Sequence, residues 1–202
     1  MARLEFFFDC SSPWTYLAFH RIEGLAAETG AALEWRPFLV GGVFNTVNRS
    51  VYAQRENPVP LKARYYLKDL QDWSRHYGLR IGSPPVFPVN SVKAMRGCFV
   101  ALEEQRLPAY ARALFESYWG ELEDISRDAV LGRIVRQVGL DPTVFFDKIN
   151  DPAYKDKLRA NTDELIARGG FGSPTMFVDG DDMYFGNDRL VLVREALRRT
   201  VR

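Results

Sequence analysis

The sequence predicts an α/β fold in which a β-α-β opening and a β-β-α close form one domain, residues 1–40 and 169–202, interrupted by a large all-helical insertion, residues 41–168. Three observations predict it. A short aromatic run, Leu4 to Phe8, passes directly into a Ser-Pro helix start at Ser12-Pro13. Strand-like runs then vanish between Phe38 and Pro174, while apolar residues keep recurring at three- and four-residue steps. Two brief apolar runs return around Asp179-Gly180-Asp181-Asp182, ahead of a final amphipathic stretch.

Leu-Glu-Phe-Phe-Phe at 4–8 is too short for a helix and rich in aromatic residues, which suits a buried strand. From Pro13 onward, Trp14, Leu17, Ala18, Ile22 and Leu25 mark an amphipathic helix with Ser12 as N-cap, ended by Gly30. Ala32 to Phe38 reads as a second strand stopped by Pro37, and the β-α-β order implies a parallel, right-handed crossover. Gly41 to Pro60 reads as irregular. Helices are expected at Leu61–Tyr77, Ser91–Gln105, Pro108–Trp119, Ser126–Val138, Pro142–Ile149 and Ala153–Arg168, each with start or stop residues such as Pro, Gly or Asp. Pro174 to Val178 and Met183 to Phe185 form a hairpin, and Leu190 to Arg199 closes the chain as a helix. There is no internal repeat and no low-complexity tract.

With 202 residues, 47% of them hydrophobic and 26% charged, the chain can bury a sizeable core. A net charge of +1 leaves little field to attract phosphate backbones or anionic lipid, so nucleic acid is not an expected partner. No stretch approaches the roughly 18 uncharged apolar residues of a membrane span, and no secretion signal is visible, so neither membrane nor export is expected. Cys10 and Cys98 form no C-x-x-C, which gives neither a disulfide framework nor a zinc site. A reducing, cytoplasmic location follows as the simplest expectation.

Ser12-Pro13-Trp14-Thr15 stands where a strand feeds a helix N-terminus, whose unpaired N–H groups and positive dipole end stabilise a nearby anion. A plain Ser-Pro cap explains the same residues, and the tetrapeptide alone does not separate the two. It has the layout of a C-P-x-C redox site, but Ser12 and Thr15 replace both thiols, so no protein disulfide can form there. Ser173-Pro174 precedes a strand and suits either a cis or a trans bond. Asn187 or Asp188, in Gly186-Asn187-Asp188-Arg189-Leu190, would cap the last helix or leave its N–H groups to a carboxylate. His20 and His76 lack a metal-binding spacing, so no metal is expected; Gly169-Gly170-Phe171-Gly172 leads into a strand, unlike a phosphate loop. Tyr65, Tyr66, Trp73, Tyr77, Tyr118 and Trp119 fall on the helical insertion, where packing is the default and a wall for a flat substrate the alternative.

Together these segments resemble the 2-hydroxychromene-2-carboxylate isomerase family and its relatives, the kappa-class glutathione transferases. The resemblance runs through Phe-Phe-Asp-Cys-Ser-Ser-Pro-Trp-Thr-Tyr-Leu-Ala at 7–18, Leu79 to Pro88, Trp119-Gly120, Pro-Thr-Met-Phe-Val at 174–178 and Gly-Asn-Asp-Arg-Leu at 186–190. The last of these, with Asn187, is closer to the isomerases. The resemblance implies a thioredoxin-like domain with the helical insertion, glutathione as cofactor, a small aromatic substrate and a homodimer. It makes Ser12 the residue whose hydroxyl donates to the glutathione sulfur, with Ser11 its competitor. Asn57, Ser173, Pro174, Asn187 and Asp188 would bind glutathione: Ser173 its cysteinyl backbone, Asn187 and Asp188 its γ-glutamyl end. Asn90 would face the substrate. The implied reaction is thiolate addition to a conjugated carbon, bond rotation and release, to a product of the trans-hydroxybenzylidenepyruvate type; a transferase would instead release the adduct. A third reading, a non-redox thioredoxin-like binding module, needs no reaction.

Overall fold

The computed structural model describes residues 1–200. Its sheet has the order β2-β1-β3-β4. The central strand β1 (Arg3–Phe8) runs parallel to β2 (Ala32–Pro37), pairing Arg3 with Ala32 through Phe8 with Pro37. On its other side β1 meets β3 (Thr175–Val178) antiparallel, Leu4 opposite Val178 and Phe7 opposite Thr175. β4 (Asp182–Phe185) folds back on β3 as the expected hairpin. This is the thioredoxin-like arrangement.

The first helix, α1 (Pro13–Thr29), starts and stops as its residues dictate. Ser12 caps it, Pro13 opens it with a fixed φ, and Gly30 closes it in the left-handed region at φ 65°. The insertion holds α2 (Val40–Val47), α3 (Ser50–Glu56), α4 (Pro60–Tyr77), α5 (Val92–Glu103), α6 (Leu107–Phe115), α7 (Asp128–Gln137), α8 (Pro142–Asn150) and α9 (Pro152–Ala167). A single π turn, Glu116–Gly120, continues α6. The last helix, α10 (Leu190–Thr200), follows a 3-10 turn at Asn187–Arg189.

One expectation is overturned. The stretch 41–60 is not irregular: α2 and α3 occupy most of it, α2 held by Val43, which is buried with Phe7, Phe38, Leu165 and Phe177, and α3 lying on the surface with no buried residue. Burial against distant residues outweighs the weak propensity of Gly41-Gly42.

Alternation along β1 divides the interior. Leu4, Phe6 and Phe8 join the larger core, which also takes in α1 and residues from α5, α6, α7 and α8. Phe7 faces the smaller cluster on the opposite side. Glu5 lies buried on that smaller side, where Arg168 grips it with both nitrogens at 3.1 and 2.7 Å. Against burial, which alone would raise it, Arg168, Arg3 and Arg36 hold the Glu5 carboxyl below its usual range.

Candidate active site

Ser12 has an extended backbone, and its Oγ accepts the Thr15 N–H at 3.3 Å, so the expected cap is made. The same hydroxyl donates to the Ser173 carbonyl, also at 3.3 Å. The Ser173–Pro174 bond is cis, the form the sequence left open, and the bond from Ser12 places this loop against the start of α1. Thr15 is fully buried, its hydroxyl 2.7 Å from Ser173 Oγ, and that Oγ also accepts the Asp9 N–H at 3.1 Å. The position of a second thiol is thus given to a hydroxyl that fastens the first turn of α1 to the cis-proline loop.

Asp9 is the residue that sequence reading passed over. It is wholly buried; Oδ1 accepts the Ser11 N–H at 2.9 Å, while Oδ2 accepts the Val40 N–H at 2.9 Å and the Ser91 hydroxyl at 3.1 Å. Burial pushes its carboxyl above the usual range, opposed by these bonds. With its own N–H on Ser173, Asp9 ties together the motif loop, the starts of α2 and α5, and the cis-proline loop. One signal was available: an ionisable side chain closing an apolar strand needs partners inside.

The cysteines take no part. Cys10 and Cys98 are buried, and burial pushes both thiols well above their ordinary range, so neither supplies a thiolate. The Cys10 backbone is held instead, its carbonyl accepting Trp119 Nε1–H at 2.9 Å.

Asn187 and Asp188 form the 3-10 turn that leads into α10, with Gly186, at φ 105°, at the cap position of that turn; among the described residues neither side chain bonds a backbone N–H, and Asp188 is drawn to Arg189. Asn187 is 3% exposed, yet among the described residues its Nδ2 meets no acceptor. Both residues line a groove of about 430 Å³ shared by α1, α4 and α10, with His20, His76, Trp73 and Tyr77 among its walls. Burial and the charges of Arg112 and Arg21 hold the His20 imidazole below its ordinary value.

Asn57 is exposed in the turn after α3, and Asn90 is exposed in the loop before α5, its Oδ1 accepting the Val92 N–H at 3.1 Å. The structure therefore brings Ser12, Ser173 and Pro174 together and sets Asn187 and Asp188 against α1. No hydrogen bond links Asn57 or Asn90 to them among the described residues. Of the insertion aromatics, Tyr118 and Trp119 are buried as core, whereas Tyr65 and Tyr66 are exposed. Tyr66 meets the motif directly, its hydroxyl accepting Trp14 Nε1–H at 2.8 Å.

Fold and site together define a thioredoxin-like domain whose two motif thiols are replaced by hydroxyls. A family model described as the DSBA-like thioredoxin domain matches residues 3–198. The 2-hydroxychromene-2-carboxylate isomerase of Pseudomonas putida is 31% identical over 202 residues, with 98% of this chain and 96% of that one covered. A solved structure of a 2-hydroxychromene-2-carboxylate isomerase superposes with a TM-score of 0.83 at 28% identity, covering 99% of this chain and 96% of that one. The chain belongs to the 2-hydroxychromene-2-carboxylate isomerase family, within the DSBA-like thioredoxin proteins. Glutathione S-transferase kappa 1 of Caenorhabditis elegans is a more distant relative, 24% identical over 212 residues, with 98% of this chain and 92% of that one covered. The cytosolic disulfide reductase DsbM of Pseudomonas aeruginosa, at 14% identity and a TM-score of 0.68 over 98% of this chain and 96% of that one, shares the fold.

Proposed function

We propose that this chain is a glutathione-dependent isomerase of 2-hydroxychromene-2-carboxylate-type aromatic ring-cleavage products, forming the trans-hydroxybenzylidenepyruvate type and returning glutathione after each turnover. The observation that carries the reading is Ser12: a hydroxyl at a helix N-terminus, beside the cis-proline loop, where the chain offers no reactive thiol of its own. An anion-stabilising site without a protein nucleophile suits a nucleophile brought by a ligand.

The residues present fit glutathione. Asn187 holds a buried N–H donor with no acceptor among the described residues, a cost that a ligand carboxylate removes. When bound, glutathione supplies a thiolate able to add reversibly to a conjugated carbon. Ser12 turns its hydroxyl proton from the Ser173 carbonyl toward the sulfur, and the α1 N-terminus lowers the cost of the negative charge. Ser173 and Pro174 align the cysteinyl backbone, as a sheet edge receives a strand. Asn187 and Asp188 take the γ-glutamyl end, with Asn57 assigned to the same ligand and Asn90 to the aromatic substrate. The reading includes a cytoplasmic homodimer, for which light scattering of the purified protein is the direct measurement.

The deciding experiment follows substrate and glutathione together. With glutathione at a small fraction of the substrate, the absorbance change should run to completion and free glutathione should be unchanged at the end. Turnover that stops at the glutathione concentration, with an adduct accumulating, would replace the isomerase by a transferase, the reading the kappa-class similarity favours.

A further inference from the structure

Arg55, near the end of α3, is exposed, and among the described residues its guanidinium makes no ion pair and no hydrogen bond. It is nevertheless held between two rings, 5.6 Å from the centre of Phe44 and 5.2 Å from that of Phe87. Aromatic faces orient a guanidinium without neutralising it, so its five N–H donors remain unspent.

Both sides of this seat lead back to the motif. Arg55 lies close enough to Tyr66 for its charge to oppose the upward push that burial gives the Tyr66 hydroxyl. Tyr66 in turn accepts Trp14 Nε1–H at 2.8 Å, two residues beyond Ser12. On the other side, Phe87 packs 6.1 Å from Trp119, whose Nε1–H donates to the Cys10 carbonyl at 2.9 Å, two residues before Ser12. Several arginines are spent on carboxylates, Arg168 on Glu5, Arg36 on Glu34 and Glu164, Arg133 on Glu123; others, such as Arg64 and Arg80, have no carboxylate partner among the described residues either, and what sets Arg55 apart is its seat between two rings. An unpaired guanidinium seated on aromatic faces, linked through Tyr66 and Phe87 to the residues that flank Ser12, matches a planar ring that carries a carboxylate, the ring against the aromatic faces and the carboxylate across the fork.

We propose that Arg55 is a specificity-determining residue that selects aromatic substrates bearing a carboxylate by binding that group directly. The inference rests on the isomerase reading for its substrate class, but its test needs no turnover. Chromone-2-carboxylate and chromone-2-carboxamide are flat, stable probes that differ in charge, and quenching of Trp14 and Trp119 reports their binding to the full chain. The wild type should bind the carboxylate about tenfold more tightly than the carboxamide, with the preference shrinking as salt rises. Arg55→Gln should abolish the preference while leaving carboxamide binding unchanged, and Arg55→Lys should restore part of it.

A preference retained in Arg55→Gln, an equal loss for both probes, or no preference in the wild type would overturn the assignment. Absence of glutathione-dependent turnover alongside an Arg55-dependent preference would sink the isomerase reading alone. Turnover without the preference would sink the role of Arg55 alone.

Discussion

The Ser12 hydroxyl has two partners within reach, an N–H that it caps and a carbonyl to which it donates, and both bonds are long at 3.3 Å. A sulfur anion can compete for that proton. Ser12→Ala should therefore lower turnover by one to two decades, the equivalent of about 1.5–3 kcal/mol for a hydrogen bond to a charged group. Losing a donor to the anion raises the apparent pKa of the bound thiol, so part of the lost activity should return in alkaline buffer. Ser11 meets Asp9 chiefly through its backbone N–H at 2.9 Å, which Ser11→Ala keeps while removing the weaker contact of its hydroxyl with the same carboxyl, and this variant should shift neither quantity by much. Thiolate absorbance titrated against pH in both variants decides between them; a shift in Ser11→Ala alone transfers the role to Ser11. Asp9 supports a second prediction. Asp9→Asn replaces a carboxylate that accepts three bonds with an amide whose NH₂ must face at least one of those donors. A loss of about 2–3 kcal/mol of stability is expected by chemical denaturation, and a change within 0.5 kcal/mol would show that the carboxylate is not holding these segments together.

Among the helices, Glu103 at the end of α5 gathers α8 and α9. Its carboxylate accepts from Lys148 Nζ at 2.9 Å, Lys157 Nζ at 2.7 Å and the Tyr154 hydroxyl at 2.5 Å. Against burial, which would raise it, these bonds bring the Glu103 carboxyl down from 4.5 to about 2. A carboxyl lowered in the folded state adds stability that is complete above its unfolded value and is lost as pH falls from about 5 toward 2. Because the side chain is 37% exposed, solvent screening cuts this to about 1 kcal/mol. Glu103→Gln should flatten the stability profile across that window and leave its shape above pH 6 alone, as thermal unfolding at a series of pH values would record. Elements were legible where their signals are local: Ser12-Pro13 and Gly30 bracket α1, and the Asp-Gly turn marks the hairpin. α2 and α3 were not, since Gly41 to Pro60 reads as irregular, the residues that bury Val43 of α2 lie as far away as 165 and 177, and α3 buries no residue that would mark a periodic face. The site divides the same way. Ser12 and Pro174 announce themselves, whereas Asp9 and Thr15 acquire meaning only through Ser91 and Ser173, partners that no local pattern names.

For the whole molecule, the proposed division into 1–40 with 169–202 and 41–168 is a division of topology, since packing runs across it. Phe115 of α6 stacks on Tyr16 of α1 with centroids 5.2 Å apart and planes within 5°, and touches Phe19 at 5.1 Å. One buried cluster contains residues from both parts. The chain should accordingly unfold in urea as one cooperative transition. Far-UV circular dichroism, dominated by the insertion, and fluorescence from Trp14, Trp35, Trp73 and Trp119 should give coincident curves. Two separated midpoints would mean that the insertion is stable on its own.

The sheet order also sets a timetable for the newborn chain. The central strand finds β2 soon after it is made, but its other neighbour comes only when Val178 arrives opposite Leu4. At about 5–20 residues per second, synthesis of the intervening chain lasts on the order of ten seconds. Throughout that interval Leu-Glu-Phe-Phe-Phe presents an open edge, the kind of apolar segment that recruits other chains. Glu5 is the single charge within it. In the finished protein that carboxylate is a buried partner of Arg168; before Arg168 has been made, it is the gatekeeper that keeps an unfinished edge from sticking to its neighbours.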